Sequence, residues 1–177
     1  MEFQFKGPKN SYLCDIFVFA SFTALSFVDI KELSNDQIVE VNGEKWIISK
    51  RYKTGVPFQV KLLDIPLQII ERYKAFQENN LVFPNLNYWS ICKRMGKMIK
   101  ECGITKKISF HIGRHGFATM ALCKGMPIES VSRIWGHTNI ETTQIYAKIT
   151  VQKLDNDLTM LGDKLSKSFG NVKMAEI

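Results

Sequence analysis

Three short runs rich in β-branched and aromatic residues, at 37–41, 46–51 and 56–63, most constrain the fold of this chain. They are separated by Asn42-Gly43 and Thr54-Gly55, residue pairs that favour tight hairpin turns. Because such turns join strands that are neighbours in sequence, the pattern predicts a three-stranded antiparallel meander.

The rest of the chain shows mainly helical patterns, so the predicted fold class is α+β, mostly α-helical, with one small sheet. Apolar spacing, capping residues, prolines and glycines mark these helices. They are predicted at residues 11–33, 66–78, 87–101, 109–124, 128–135, a segment that includes Tyr146, and 151–165. We expect residues 1–10 to be a leader or linker, residues 11–165 to be one domain that includes the C-terminal helix, and residues 166–177 to be a tail.

Composition limits the classes of partner. The chain has 24 Lys and Arg against 17 Asp and Glu, a formal net charge of +7, and a basic chain of this size is attracted to polyanions such as DNA. Its 4 cysteines form no CxxC pair, which is usual for thiols in a reducing compartment. The longest uncharged stretch, residues 16–28, is too short to span a bilayer. We therefore predict a cytoplasmic protein without membrane association.

The helix predicted at 87–101 is strongly basic. It carries Lys93, Arg94, Lys97 and Lys100, mostly toward one side. A solvated basic surface is one interpretation, and contact with a DNA backbone is the other.

Three local motifs carry residues suited to chemistry. Lys53 lies in the turn before the third predicted strand. His111 and Arg114 share a face at the start of one helix, because they are three residues apart. His137 follows a glycine, and Tyr146 comes nine residues later on a capped helix. Each motif is weak by itself, since hairpin lysines usually serve solubility and helical tyrosines are usually core or rim aromatics.

Together and in this order, the motifs resemble the tyrosine recombinases and integrases of phages and mobile elements. The resemblance runs from about Asp15 to Leu161, and the segments FTALSFVDI, KRYKTG, FHIGRHGFAT and WGHTNIETTQIYA are similar to integrases of conjugative transposons. It implies a recombinase catalytic-domain fold and double-stranded DNA as the partner. It also implies strand cleavage and rejoining through a covalent 3′-phosphotyrosine, in a multimer assembled on DNA.

The resemblance also implies a role for each motif residue. Tyr146 matches the nucleophile of the family and Arg114 its second catalytic arginine. His111 and His137 match the two active-site histidines. Lys53 matches the lysine that protonates the leaving oxygen.

The chain departs from the family at its first arginine, whose position is held by Ser26. A serine donates one hydrogen bond but brings no charge, so its presence would cost about 2–4 kcal/mol of transition-state stabilisation unless another cation compensates. Lys6, Lys9 and Arg51 are the candidate replacements. In the family an acidic residue lies behind this arginine, and Asp29 matches it in this chain.

The residue types suit this chemistry on physical grounds. A phosphodiester gathers negative charge on its non-bridging oxygens in the transition state, where guanidinium and imidazole donors stabilise it. Tyrosine, with a solution pKa of about 10, needs a positive site or a proton acceptor before it attacks. The leaving 5′ oxygen needs a proton donor such as Lys53. The scheme requires neither ATP nor a metal, and we predict no cofactor.

Two other functions stay open at this point. A DNA-binding relative with impaired catalysis would account for Ser26. A basic helical regulator would use residues 109–135 as a helix-turn-helix, but it leaves the joint order of the motifs unexplained. The apolar stripe of the C-terminal helix either docks on a neighbouring protomer or packs on its own domain. Because family members carry an N-terminal helical domain, we expect this chain to be the C-terminal part of a longer integrase.

Overall fold

A computed structural model describes residues 8–137, 139–144 and 151–169. Its strands are β1 (Ile38–Val41), β2 (Glu44–Lys50) and β3 (Pro57–Lys61). Its helices are α1 (Pro8–Thr23), α2 (Phe27–Lys31), α3 (Asp64–Tyr73), α4 (Tyr88–Glu101), α5 (Phe110–Cys123), α6 (Ile128–Trp135), α7 (Glu141–Gln144) and α8 (Val151–Phe169). Single 3-10 turns cover Asn35–Gln37 and Lys74–Phe76. The predicted α+β, mostly helical class is confirmed.

The sheet is an antiparallel meander in the order β1-β2-β3, as the sequence predicts. Ile47 pairs with Ile38 on one side and with Val60 on the other. Ile47 and Val60 are buried, which fixes the face that meets the helices. Asn42 and Gly43 have φ values of 54° and 78°, the conformation that a two-residue hairpin of this twist requires.

The single helix predicted over residues 11–33 is wrong, because the chain leaves the helix at Ala24. Ala24 has a φ of 57°, in the left-handed region where helices commonly end. Ser26 then begins α2 with a capping box: its hydroxyl accepts from the Asp29 N–H at 3.3 Å, and the Asp29 carboxylate accepts from the Ser26 N–H at 3.2 Å. This break sets the positions of Ser26 and Asp29.

The core is built around α1. Ile16, Phe19 and Ala20 are fully buried on this helix, which packs against α3, α4 and α5. The Phe19 ring meets Phe83 edge-on at a centroid distance of 4.9 Å. Burial of side chains of this size contributes about 1.5–3 kcal/mol each. A second apolar cluster, around Phe117, joins α5 to α6.

The close approach of α1 and α5 depends on Gly113. A Cβ at this position would lie 2.8 Å from Ser21 Oγ and 3.1 Å from the Phe17 ring. We expect Gly113→Ala to lower the free energy of unfolding by about 1–3 kcal/mol, because the two helices must move apart. Urea unfolding followed by circular dichroism measures the change. Gly116→Ala is the matched control, since no atom lies within 4 Å of its added Cβ, and it should stabilise α5 by about 0.5–1 kcal/mol. Equal effects of the two variants would contradict the tight crossing.

The other helices differ from their predicted limits mainly at the ends. α3 begins at Asp64 and ends at Tyr73, instead of covering 66–78. Pro66 still lies in the first turn, where its missing N–H has no helical partner to lose. α5 begins after the N-cap Ser109, as predicted. α8 continues past residue 165 to Phe169. Among the helices that the structure describes, none combines the length and apolar character needed to cross a membrane.

Candidate active site

An open cavity of about 400 Å³ is lined by most of the predicted site residues. The lining comes from α2, the β2–β3 turn, the start of α5 and the segment that follows α6, which are far apart in the sequence. The predicted residues among it are Ser26, Asp29, Lys53, His111, Arg114 and His137. Tyr146 lies outside the described residues, so its role stays a prediction.

Arg51 lies beside Ser26 and is paired with Asp29. Its Nη1 donates to Asp29 Oδ2 at 2.8 Å, and both side chains are almost fully buried. The Ser26 hydroxyl donates to the same carboxylate oxygen at 2.7 Å, and the Tyr52 N–H donates to Oδ1 at 3.0 Å. Burial raises the pKa of Asp29, but the Tyr52 N–H, the Ser26 hydroxyl and Arg51 outweigh it and hold that pKa below its ordinary value. Asp29 is therefore a carboxylate that fixes Arg51.

The remaining contacts of Arg51 come from α6 and β3. Its Nη2 donates to the Ile134 carbonyl at 2.5 Å, and its guanidinium carbon lies 4.0 Å from the centre of the Phe58 ring. A Cβ on Gly136 would lie 3.0 Å from Arg51 Cγ, so a glycine here leaves room for the arginine. Burial lowers the pKa of Arg51 and Asp29 opposes that shift, yet a guanidinium stays protonated at neutral pH.

Arg51 lines this cavity and, of the three candidate replacements for the missing arginine, it is the one whose side chain the structure describes. Lys6 lies outside the described residues, and so does the side chain of Lys9. The sequence places Arg51 only at the end of a strand. Its orientation depends on Asp29, which is 22 positions earlier.

Arg114 projects from α5 toward the same end of α6. Its Nη2 donates to the Trp135 carbonyl at 2.8 Å, and its guanidinium carbon is 4.8 Å from the centre of the indole ring. The carbonyls of Ile134 and Trp135, consecutive at the C-terminal end of α6, thus each accept from one arginine of the cavity. Helix C-termini present unpaired carbonyls and a partial negative charge, so this end of α6 suits two guanidinium groups.

Three histidines line the cavity. His111 and His115 are one helical turn apart on α5, and their Nε2 atoms lie 2.5 Å from each other. In this contact one of the two nitrogens donates and the other accepts. His137 Nδ1 is 2.9 Å from the hydroxyl of the buried Thr143. His115 is not among the residues assigned from the sequence, although its spacing from His111 indicates that the two share a face.

The histidines should make stability depend on pH. Burial, followed by the neighbouring His111 and Arg114, lowers the pKa of His115, and burial, Arg114 and Arg51 lower the pKa of His137 from the ordinary 6.5. The unfolded chain therefore binds more protons just below pH 6.5, so this contribution is complete above that pH and is lost as the pH falls through the lowered values.

Urea unfolding between pH 7.5 and about 5, above the range where most carboxylates titrate, measures this dependence. The free energy of unfolding should fall toward the acid end of the window. The fall should be smaller in His137→Gln, which cannot bind the proton. A slope that is the same in parent and variant would exclude His137 as a contributor.

Lys53 lies at the exposed tip of the β2–β3 turn and lines the mouth of the cavity. The turn closes through the Gly55 N–H, which donates to the Arg51 carbonyl at 2.8 Å. Among the described lining residues, Arg51, Lys53 and Arg114 are cations and Asp29 is the one carboxylate. The cavity is therefore positive and rich in N–H donors, as a site for a phosphate group should be.

Comparison with known proteins gives the family. The model of the phage integrase family matches residues 6–153. The tyrosine recombinase XerA of Pyrococcus horikoshii is 30% identical over 139 residues, which cover 71% of this chain and 47% of that protein. XerA of Thermococcus kodakarensis is 40% identical over 141 residues, which cover 71% of this chain and 48% of that protein.

The solved structures agree on the fold. The XerH site-specific recombinase bound to palindromic difH substrate, in a post-cleavage complex, has a TM-score of 0.70 at 19% identity. The likeness covers 90% of this chain and 48% of that one, and it confirms the predicted recombinase catalytic-domain fold. The chain spans about half the length of the curated relatives it matches. Since the family model covers well over half of its residues, the chain belongs to the phage integrase family.

Proposed function

We propose that this chain is the catalytic domain of a site-specific DNA recombinase that cleaves and rejoins strands through Tyr146. The tyrosine hydroxyl gives its proton to a neutral imidazole of the cavity and its oxygen attacks a backbone phosphorus. The bond from phosphorus to the 5′ oxygen breaks, and a 3′-phosphotyrosine bond forms. The 5′ oxygen leaves with a proton, and attack by a 5′ hydroxyl reverses the step. The observation that carries the proposal is that Lys53, His111, Arg114 and His137 line one cavity.

The donors of the cavity have distinct parts in this scheme. Arg114 binds the non-bridging oxygens, because its planar fork can contact two of them and keeps its charge. His137, whose pKa is lowered mainly by burial, is a neutral imidazole at pH 7 and offers one N–H or one acceptor. Lys53, on an exposed turn, gives its proton to the 5′ oxygen. No step in this scheme draws on a cofactor.

Arg51 supplies the positive charge that Ser26 lacks. Its guanidinium is held beside Ser26 by Asp29, through a carboxylate oxygen that the Ser26 hydroxyl also contacts. A cation fixed in this way needs no rearrangement when charge develops on the phosphate, which is the condition for strong electrostatic stabilisation. This supports the enzyme over a relative with impaired catalysis, since the cavity retains two arginines.

Double-stranded DNA is the partner, and α4 lies along its backbone. Lys93, Arg94, Lys97 and Lys100 are exposed on this helix. The start of α4 packs on α2, because the Tyr88 ring is 5.1 Å from the ring of Phe27, the residue after Ser26. Each phosphate that such lysines neutralise releases counterions, which gives sequence-independent affinity.

The C-terminal helix α8 joins protomers in a multimer on DNA. Its stripe of Leu154, Leu158, Leu161 and Leu165 is 47–57% exposed, an unusual state for a regular apolar face. Part of the helix approaches its own domain, since Met160 Cε would lie 3.7 Å from a Cβ on Gly125. A second copy of the chain is the occupant that the exposed leucines fit best.

Residues 11–165 are the catalytic domain in this proposal, with 1–10 as a linker and 166–177 as a tail. The reaction takes place in the cytoplasm, where DNA and reduced thiols occur together. The free state of Cys14, Cys92, Cys102 and Cys123 is consistent with that compartment.

Trapping of a covalent complex tests the proposal. Nicked duplexes of randomised sequence lose the short cleaved fragment by diffusion, so an attacked strand cannot be resealed. The protein should form an SDS-stable adduct with the 3′ phosphate of a strand that is labelled at its 5′ end, and protease digestion should convert the adduct to a peptide-bearing oligonucleotide. Binding of these duplexes without any adduct would instead favour a DNA-binding relative of the family.

A further inference from the structure

Trp135, the last residue of α6, touches three polar groups of the cavity and carries none of the expected chemistry itself. Its carbonyl accepts from Arg114 Nη2 at 2.8 Å, and its ring lies 4.8 Å from the guanidinium carbon. The rings of His115 and His137 meet the indole edge-on, at centroid distances of 5.3 and 5.0 Å.

Filling the core does not by itself account for these contacts. Trp135 is 3% exposed and belongs to the cluster of Phe117, Leu122 and Val131 between α5 and α6. An aliphatic side chain could fill much of that space. Compared with an aliphatic side chain, however, only an aromatic one attracts a guanidinium through its face and makes edge-to-face contacts with imidazoles. The contacts of the indole with the arginine and the two histidines are therefore not explained by its packing in the apolar cluster.

We propose that Trp135 is a positioning residue for strand cleavage. Its rigid indole holds the side chains of Arg114, His115 and His137 where they can contact the phosphate. The inference rests on the proposed function, because it concerns the same cavity. The indole touches neither the substrate nor the attacking oxygen in this scheme, so it acts through the three side chains that pack on it. Its two fixed torsions are anchored in the apolar cluster, which makes it a stiffer support than a flexible residue.

The same contact sets how readily His137 takes up a proton. His137 faces Arg114 from α5 and Arg51 from the end of β2, with Asp29 and Lys53 also lining the cavity. Burial is the largest of the influences that lower the pKa of His137, and the indole provides part of that burial. A smaller aliphatic side chain would admit water, so the pKa of His137 would rise toward its ordinary value.

Three variants separate positioning from packing. Trp135→Leu removes the aromatic face, Trp135→Phe keeps one, and Phe117→Leu is a matched control that alters the same cluster away from the charged groups. Single-turnover adduct formation on nicked randomised duplexes gives the rate at each pH, filter binding gives the DNA affinity, and urea unfolding gives the stability.

We expect Trp135→Leu to lower the cleavage rate about 10²-fold, the size of effect that a small misplacement of catalytic groups produces. DNA affinity should change by less than about threefold. The acid limb of the pH–rate profile should move to higher pH, because the pKa of His137 rises. Trp135→Phe should keep the limb of the parent and lose less than about tenfold in rate. Phe117→Leu should lose stability while its rate and pH profile stay those of the parent.

A Trp135→Leu variant with the rate and pH profile of Phe117→Leu would overturn the inference, as would a loss of DNA affinity with no loss of rate. Failure of the proposed function would give a different result, because the parent protein itself would then form no adduct. In that case NMR titration of the histidines still decides the matter. A raised pKa of His137 in Trp135→Leu supports the contact, and an unchanged one refutes it.

Discussion

Replacing Tyr146 with phenylalanine should abolish the SDS-stable adduct with nicked duplexes. We expect the rate of adduct formation to fall by a factor of about 10⁴ or more. The substitution removes the oxygen that forms the phosphotyrosine bond in the proposed reaction and leaves the ring in place. DNA affinity should stay near that of the parent, since the cations that bind the backbone are untouched. Denaturing gels of end-labelled DNA measure the adduct, and filter binding measures the affinity.

Tyr52→Phe is the matched control. Tyr52 is 66% exposed in the turn next to Lys53, so it is a plausible competing nucleophile by position. Burial raises the pKa of Tyr12 to about 12 and also raises the pKa of Tyr73, which makes both poor nucleophiles. An adduct that survives Tyr146→Phe and is lost in Tyr52→Phe would assign the attack to the turn.

Replacing Arg51 with alanine should lower the rate of cleavage about 10²- to 10³-fold, the usual cost of removing one donor to a developing oxyanion. It should also destabilise the fold by about 3–5 kcal/mol, because Asp29 would be left as an unpaired buried carboxylate. The double variant Arg51→Ala, Ser26→Arg tests whether another guanidinium can replace Arg51, since the new side chain would start beside Asp29. We expect it to recover stability and to return the rate to within about tenfold of the parent.

Ser26→Arg alone should leave the activity unchanged or raise it. Arg72→Ala is the matched control, because Arg72 pairs with Asp15 on an exposed surface outside the cavity, and its removal should leave the cleavage rate unchanged. A folded Arg51→Ala protein with the rate of the parent would refute the compensating role. A collapse of cleavage in a folded Ser26→Arg protein would instead give Ser26 a role of its own.

The elements that the sequence predicts well are those with local signals. The hairpin turn at Asn42-Gly43 needs two residues that accept positive φ, and the sequence supplies them. The limits of α5 and α6 follow from the cap at Ser109 and the left-handed Gly136. In each case the conformation is determined by interactions within a few residues, so the local sequence is enough to predict it.

The errors and omissions concern residues whose conformation is set by distant neighbours. Ala24 ends α1 with a positive φ, which an alanine does not indicate, so nothing in this apolar stretch of sequence predicts the break. The direction of Arg51 depends on Asp29 and on the Ile134 carbonyl, 83 positions later. His115 could be placed on the face of His111, but its contact with Trp135 required the packing of α5 on α6. The part of Tyr146 in the site remains a prediction.

The anchorage of Arg51 has a consequence for the turn that begins there. Lys53 is two residues after Arg51, whose side chain is held by Asp29 of α2 and by the Ile134 carbonyl of α6. The turn is therefore anchored at Arg51. Two residues span at most about 7 Å between Cα atoms, which limits how far the backbone of Lys53 can move from the anchored Arg51. We expect Lys53 to deliver its proton only to a phosphate bound in this cavity, so that strands passing elsewhere on the surface are spared.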